Sequence, residues 1–304
     1  MNLLHQISDR LVHALPDEQI KRLRAAYFGL KRKAAPLSRW IHGTFGTEDL
    51  RRHLEQEVDP DFEILMVHGS VNGMAPMYTG NALELVRMLI DYCGPERTLA
   101  MPAFFFGDPK IGSVIETFAH DARFDLKRTP SQMGLFTEIF RRTKGAVQSR
   151  HPVYRVTALG PLAEAMTAGH ELASTPAGAG TPFEFMAAHR TRVLGIGKSY
   201  HVMTQVHHVD DLLGDDYPAE RTPQPERTRT PVVVVDRGEE LPMVLTGGGI
   251  QWRFNIDKLP SLLTGDEMRF WKFHNVPLFQ ADASRVTRRL IEVAGQGLCL
   301  HDPQ

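Results

Sequence analysis

Four titratable side chains crowd one short stretch of this 304-residue chain, TQVHHVDDLLG at positions 204–214. His207 and His208 are adjacent, and Asp210 and Asp211 follow them after one residue. A histidine, whose ordinary pKa is about 6.5, exchanges protons near neutral pH, and a carboxylate on its second ring nitrogen fixes its tautomer. The stretch is therefore a candidate for acid–base chemistry, for a metal site, or for a solvated helix face.

Helical spacing favours acid–base chemistry over a metal site in this stretch. On a helix, Thr204, His207 and Asp210 share one broad face, whereas His208 is rotated by about 100° from His207. Adjacent histidines on a regular helix cannot both face one ion, and the chain has no HExxH or His-x-His pattern. We therefore expect no metal. A metal-dependent hydrolase using the His/Asp cluster stays as a less favoured alternative.

Composition narrows the class of protein. The formal net charge is -1 and 42% of the residues are hydrophobic, which suits a large core and gives no electrostatic case for binding nucleic acid. Two cysteines, Cys93 and Cys299, are too few for a disulfide framework. The chain has no apolar run long enough to span a bilayer and its first residues do not resemble a signal peptide, so we predict a cytoplasmic protein.

The first 45 residues differ from the rest. Apolar residues recur at helical spacing from Ile20 to Leu30, with lysines and arginines between and after them up to Lys33. We predict two parts, a basic amphipathic extension at 1–45 and one domain at 46–304. Residues 20–33 either dock on that domain or contact anionic lipid or an acidic partner at the surface. The oligomeric state is left open, a homo-oligomer included.

Alternating elements predict an α/β fold with a mixed sheet flanked by helices. Buried strands are expected at 63–71, 97–106, 153–160 and 192–197, and helices at 47–57, 79–94, 131–143, 204–213 and 281–295. Thr47 and Ser131 are the expected N-caps of two of these helices. A late antiparallel hairpin is expected from TPVVVVD and LPMVLTGG around Arg237-Gly238, and it would add antiparallel strands to the sheet.

Several stretches, in chain order, follow the pattern of a known family. They are VHGSV (67–71), MPAF (101–104), DP (108–109), the block 129–163, TPAGAGTPFEFM (175–186), VLGIG (193–197) and TQVHHVD (204–210). Together they resemble the aminoglycoside 3-N-acetyltransferase family, also called the antibiotic N-acetyltransferases, over roughly residues 47–215. The resemblance implies a mixed α/β fold, acetyl-CoA as co-substrate, and transfer of acetyl to an amine of an amino sugar.

The resemblance also assigns roles in the stretch at 204–214. The family pattern Thr-x-x-His-x-x-Glu falls on Thr204, His207 and Asp210. His207 is then the general base and Asp210 orients it, while Thr204 either donates to the developing oxyanion or caps the helix. Aspartate stands where the family has glutamate, so Asp211 is an alternative partner. His208 is expected to pack or to be solvated.

Two stretches are candidates for binding CoA. Gly69 and Ser70 end a predicted strand, where a backbone can come close to the ligand and a hydroxyl is available, although the family usually has two serines there. Ser149 and Arg150 offer a donor and a charge to a phosphate, and His151 matches the family's His-Pro pair.

The acceptor is the least determined part of the function. Arginine at 155 replaces a serine common in the family; facing the cleft, it would favour an acceptor with a carboxylate or phosphate. The acidic stretch DDLLGDD at 210–216 could instead form a wall for a cationic aminoglycoside. An aminoglycoside and a nucleotide-linked or glycan amino sugar of polysaccharide biosynthesis are therefore both open, and so is a catalytically silent acetyl-CoA-binding protein.

Overall fold

The structure is a computed structural model that describes residues 33–223, 226–246 and 249–303, together with residues 19, 22, 26 and 29. The predicted basic segment 20–33 lies outside the described residues apart from four of its positions. No helix in the described ranges is long and apolar enough to cross a membrane.

Helices and strands alternate over most of the described chain, as expected for an α/β fold. The helices are α1 Ala35–His42, α2 Thr47–Glu57, α3 Val71–Met74, α4 Ala82–Cys93, α5 Val114–His120, α6 Leu135–Arg141, α7 Ala163–Thr167, α8 Pro182–Ala188, α9 Val206–Leu213, α10 Leu259–Leu262 and α11 Ala283–Ala294. Short 3-10 helices lie at His170–Leu172, Tyr200–Val202, Gly214–Asp216 and Ile256–Lys258. The strands are β1 Ile64–Gly69, β2 Thr98–Pro102, β3 Arg123–Asp125, β4 Val147–Gln148, β5 Val156–Leu159, β6 Thr191–Ile196, β7 Arg229–Asp236, β8 Glu239–Thr246, β9 Arg253–Phe254, β10 Met268–Phe273, β11 Val276–Asp282 and β12 His301–Asp302.

The predicted mixed sheet is confirmed. Seven strands of the described chain form it in the order β10-β11-β6-β1-β2-β5-β4. The three central strands β6, β1 and β2 are parallel, and the strands on both sides of them are antiparallel. Every residue of β1 and β2 is buried, which explains why these strands are near-continuous apolar runs in the sequence.

The late hairpin is confirmed, but its predicted place in the main sheet is wrong. β7 and β8 pair antiparallel and join β3 in a separate three-stranded sheet. Arg237 and Gly238 both have positive φ, 51° and 90°, as a tight two-residue turn requires. The antiparallel edge beside β6 comes instead from β10 and β11. This hairpin was not predicted from the sequence, although its turn at His274-Asn275 also has positive φ at both residues.

The core lies on both faces of the main sheet, and alternation along β1 divides it. Ile64 and Met66 pack on the face that α9 and α11 cover, whereas Leu65 and Val67 pack on the face that α4 and α6 cover. Val206 and Val209 bury one side of α9 in the first cluster. The helix that carries the His/Asp stretch is thus fixed against the sheet by its apolar residues.

Three predicted helix starts shift. α6 begins at Leu135, and Ser131 is not its cap: the Ser131 hydroxyl shares a hydrogen bond with the Thr137 hydroxyl at 3.0 Å. Thr47 is the first helical residue rather than the cap of α2, because the preceding Gly46 N–H donates to the Asp49 carboxylate at 2.8 Å. α9 begins at Val206.

Candidate active site

His207, in the first turn of α9, lies beside a buried carboxylate. His207 Nδ1 lies 3.6 Å from Asp210 Oδ2, and the imidazole is partly exposed. Asp210 itself is only 8% exposed, and its Oδ1 is buried without a hydrogen-bond partner among the described residues. A one-turn offset on the helix therefore holds a negative charge behind one ring nitrogen and leaves Nε2 available to a ligand.

Thr204 lies in the turn that leads into α9. Its carbonyl accepts from the His207 N–H at 3.1 Å, but its hydroxyl does not cap the helix. The Thr204 Oγ1 is buried and has no partner in the described part of the chain. A buried hydroxyl without a partner is costly, so this atom is suited to a bond with bound substrate.

A cleft of about 180 Å³ opens in front of His207 and Thr204. The Phe254 ring centroid lies 5.0 Å from that of His207, and the Tyr154 centroid lies 5.9 Å away. Most of the walls are apolar, and they are formed by Phe104, Phe106, Met133, Tyr154, Phe254 and Ile256. These residues come from segments far apart in the chain, which is why local sequence patterns did not reveal the cleft.

The two remaining residues of the His/Asp stretch hold a loop rather than face the cleft. Asp211 Oδ2 accepts from the Ala177 N–H at 2.8 Å, and His208 Nδ1 donates to the Ala177 carbonyl at 2.6 Å. His208 is buried, which confirms its expected packing role, and its pKa is lowered chiefly by burial. The structure therefore places Asp210 at His207 and gives Asp211 to the loop TPAGAGT at 175–181.

Burial, followed by the neighbouring Asp210, raises the pKa of Asp211 to about 6. Between pH 4 and 6 the folded protein therefore keeps a proton on Asp211 that the unfolded chain has lost, so this group costs stability as the pH rises. Asp211→Asn keeps an acceptor for Ala177 and removes that cost. We expect the unfolding free energy of the variant, relative to wild type, to increase by up to roughly 3 kcal/mol from pH 4 to 7 in urea titrations.

The control for this experiment is Asp266→Asn, at an exposed aspartate outside α9. A difference between Asp211→Asn and wild type that stays constant from pH 4 to 7 would contradict the assignment.

Gly69 and Ser70 lie at the carboxyl end of β1. Ser70 Oγ accepts from the Gly73 N–H at 3.0 Å, so this hydroxyl already caps α3. A Cβ on Gly69 would come within 2.5 Å of the Phe136 ring, so the glycine permits the close packing of Phe136 on the strand. A role for either residue in binding CoA remains a prediction.

Ser149 and His151 are both buried, at 0% and 2% exposure, and their predicted contact with CoA stays a prediction. The Ser149 hydroxyl is buried between the Val156 N–H, from which it accepts at 2.9 Å, and His170 Nδ1 at 2.8 Å. His151 Nδ1 accepts from the N–H groups of Val153 at 3.1 Å and of the next residue at 3.0 Å. Both side chains hold the turn before β5 in place.

Arg150 forms ion pairs with acidic side chains, and its predicted contact with a phosphate stays a prediction. Its guanidinium donates to Asp236 Oδ2 at 2.9 Å and lies 3.6 Å from Glu171 and 3.5 Å from Glu239. Three carboxylates share this one positive charge, so a phosphate would have to compete with them for Arg150. Arg150 instead ties the β7–β8 hairpin to the main body.

Arg155 does not face the cleft, contrary to the expectation that it would affect the acceptor. It is 0% exposed, and its guanidinium donates to the carbonyls of Ala103 at 3.0 Å, Leu126 at 2.8 Å and Thr129 at 3.1 Å. These bonds satisfy the buried charge and fix the loops that follow β2 and β3. Arg155 therefore gives no support for an anionic acceptor.

The expected acidic wall does not form at the cleft. Asp211 faces the 175–181 loop, and Asp215 pairs with Arg227 at 2.6 Å. None of the described residues that line the cleft is aspartate or glutamate. In the described part of the chain, no group of three or more His, Cys, Asp or Glu side chains is arranged to hold a metal ion.

Two more histidines have no clear signal in the sequence, and one of them, His301, lies near the site. His68 on β1 is buried with both ring nitrogens unpartnered among the described residues, and burial lowers its pKa to about 3. His301 packs against Phe254 with ring centroids 5.2 Å apart, and burial lowers its pKa to about 4. Because His301 lies almost one hundred residues after α9, only the tertiary structure brings it here.

The fold is that of solved aminoglycoside acetyltransferases. AAC(3)-Xa aligns with a TM-score of 0.69 at 21% identity, covering 86% of this chain and 99% of that one. A structure named as AAC-IIIb binary with CoASH aligns with a TM-score of 0.68 at 21% identity, covering 86% of this chain and 100% of that one.

Sequence comparison identifies the family directly. Residues 66–275 match the family model for aminoglycoside 3-N-acetyltransferase, and the chain belongs to this family. Aminoglycoside N(3)-acetyltransferase IX of Micromonospora chalcea is 28% identical over 163 residues, which are 50% of this chain and 57% of that protein. Aminoglycoside N(3)-acetyltransferase VII of Streptomyces paromomycinus is 30% identical over 171 residues, 53% and 58% of the two chains. The chain thus spans a little over half the length of these relatives.

Proposed function

We propose that the protein is an acetyl-CoA-dependent N-acetyltransferase whose acceptor is an amine of an amino sugar. The observation that carries the proposal is the pairing of a partly exposed His207 with the buried Asp210 at the cleft, at 3.6 Å. Family membership supports it, as do the names of the relatives and the CoASH-bound structure with the same fold.

The chemistry divides between deprotonation and acyl transfer. An amine is protonated at neutral pH and attacks only after it loses a proton, which His207 Nε2 accepts as general base. The amine nitrogen then bonds to the thioester carbonyl carbon, the carbon–sulfur bond breaks, and the thiolate takes the proton that His207 returns. The new amide nitrogen loses its second proton to solvent. Asp210, at 3.6 Å from Nδ1, stabilises through its negative charge the imidazolium formed between these steps.

Thr204 would stabilise the charge that develops on the thioester oxygen. Its hydroxyl is buried beside His207 and lacks a partner in the described chain, so it can donate to an oxyanion without first breaking another bond. The arrangement fits direct transfer within one ternary complex. Both cysteines are buried, and burial raises the pKa of Cys93 to about 12, so Cys93 is not a nucleophile for an acyl-enzyme.

We also propose a catalytic domain at 46–304 preceded by an extension at 1–45, in a cytoplasmic protein. α1 has no buried residue, whereas Phe45, the last residue of the extension, is buried and marks where the core begins. Free buried cysteines suit a reducing compartment.

The test is an acetyl-transfer assay on the purified full chain with acetyl-CoA and a panel of aminoglycosides and mono-amino sugars. We expect free CoA to be released together with an acceptor heavier by one acetyl group in mass spectrometry. Acetyl-CoA binding without transfer to any amine would instead support the catalytically silent alternative. Zinc bound in stoichiometric amount, with hydrolysis in place of transfer, would support the metal-dependent hydrolase.

A further inference from the structure

We infer that the acceptor is a mono-amino sugar, with one ammonium group and an apolar ring face that stacks on aromatic side chains, rather than a polycationic aminoglycoside. The inference rests on the proposed acetyl transfer at His207 and adds the chemical class of the acceptor. Three features of the cleft carry it: its charge, its walls and its size.

Apart from His201 and His207, the described side chains that line the cleft carry no charge near neutral pH. None of the described residues that line it is aspartate, glutamate, lysine or arginine. A polycation placed there would lose hydration around several ammonium groups without carboxylates to replace the water, and each unpaired buried charge is costly. A single ammonium has a single countercharge available, because Asp210 stands directly behind His207.

The next carboxylate along the wall is already engaged. Asp257 Oδ1 lies 2.8 Å from His201 Nε2, and His201 Nδ1 lies 2.8 Å from the Ser199 hydroxyl. This chain of bonds holds His201 at the edge of the cleft. A second ammonium of an acceptor would have to share Asp257 with His201.

Aromatic side chains form the walls and two of them are left exposed. Phe106 is 53% exposed and Phe254 is 37% exposed, although both line the cleft next to His207. Behind them, Phe104 stacks on Tyr154 with centroids 4.7 Å apart, which makes a flat and rigid surface. Exposed aromatic faces around a catalytic group suit the C–H face of a sugar ring, and their negative face also attracts one ammonium.

Size points the same way. The cleft measures about 180 Å³. Pockets for drug-sized ligands usually measure roughly 300–1,000 Å³. The cleft is open to solvent on one side, so this volume describes the room next to His207, and it suits one sugar ring there.

The first measurement compares kcat/KM for the methyl glycoside of glucosamine, which has one amine, with kcat/KM for sisomicin, which has several. We expect the mono-amino sugar to be favoured by about tenfold or more. Equal or higher kcat/KM for sisomicin would overturn this inference and leave the proposed acetyl transfer intact. No acetyl transfer to either compound or to any other amine would overturn both.

The second measurement tests the aromatic wall. Phe106→Ala should raise KM for the mono-amino sugar about tenfold and change KM for acetyl-CoA less, because the exposed ring offers a face on which the sugar stacks. Leu172→Ala, at an exposed apolar residue outside the cleft, is the matched control and should change neither. Phe106→Glu should shift the kcat/KM ratio towards sisomicin by supplying a carboxylate. Unchanged acceptor KM in Phe106→Ala, or a ratio unmoved by Phe106→Glu, would overturn the inference.

Discussion

His207→Ala is expected to lower acetyl turnover by about 10²–10⁴, the range that a positioned general base contributes. The imidazole faces the cleft and has Asp210 behind it at 3.6 Å, whereas His201, the other histidine that lines the cleft, has both ring nitrogens in hydrogen bonds, to Ser199 and Asp257. Steady-state kcat with a saturating acceptor measures the loss. Acetyl-CoA affinity, measured by calorimetry, should stay within about twofold, because the substitution removes a group that acts on the amine.

His120→Ala is the matched control, since His120 is exposed at the end of α5 and outside the cleft. Turnover in this variant should equal that of wild type. Wild-type turnover in His207→Ala would remove His207 from the chemistry. A loss of acetyl-CoA binding in parallel with turnover would mean that the substitution acts on the donor site instead.

Arg155→Ala is expected to cost roughly 3–5 kcal/mol of unfolding free energy. The substitution leaves three buried carbonyls, those of Ala103, Leu126 and Thr129, without the donor that satisfies them. It also opens a cavity where a fully buried side chain packed near the Phe124 ring. Urea unfolding followed by circular dichroism gives the difference, provided that the variant folds. Failure to accumulate as soluble protein would agree with the larger values of this range.

Arg128→Ala provides the control with the same change of side chain. The Arg128 side chain is 88% exposed and lies 3.6 Å from Asp125, so its loss should change the unfolding free energy by less than about 1 kcal/mol. If Arg155→Ala and Arg128→Ala have equal effects, Arg155 does not organise the loops after β2 and β3.

Much of the framework follows from local patterns along the chain. The apolar runs of β1, β2 and β6 and the helical periodicity of α4 and α11 predict the alternating elements. A strand buried on both faces is apolar throughout. A helix buried on one side is apolar at every third or fourth residue. The Arg237-Gly238 turn is readable for the same reason, since few residue pairs accept positive φ. These patterns do not show which sheet a hairpin joins. The β7–β8 hairpin was therefore predicted in the main sheet, whereas it belongs to the separate three-stranded sheet.

Some residues of the candidate site can also be predicted from local sequence, and others cannot. Thr204, His207 and Asp210 lie within seven residues of one another, so helical spacing and family resemblance are enough to group them. Burial decides the other assignments, and it depends on segments remote in sequence. SRH at 149–151 has the residue types of a phosphate site, but Ser149 and His151 are enclosed by loops and Arg150 is neutralised by acids from other segments.

The sequence by itself therefore determined the family, the mixed α/β framework and the His/Asp pair, because each depends on residues close together or on an ordered series of motifs. Only the tertiary structure decided that Asp211 holds a loop, that Arg155 is a buried anchor, and that aromatic rather than acidic side chains surround His207. The physical reason is that a side chain's partners, and hence its charge and accessibility, are set by packing between segments that may lie a hundred residues apart.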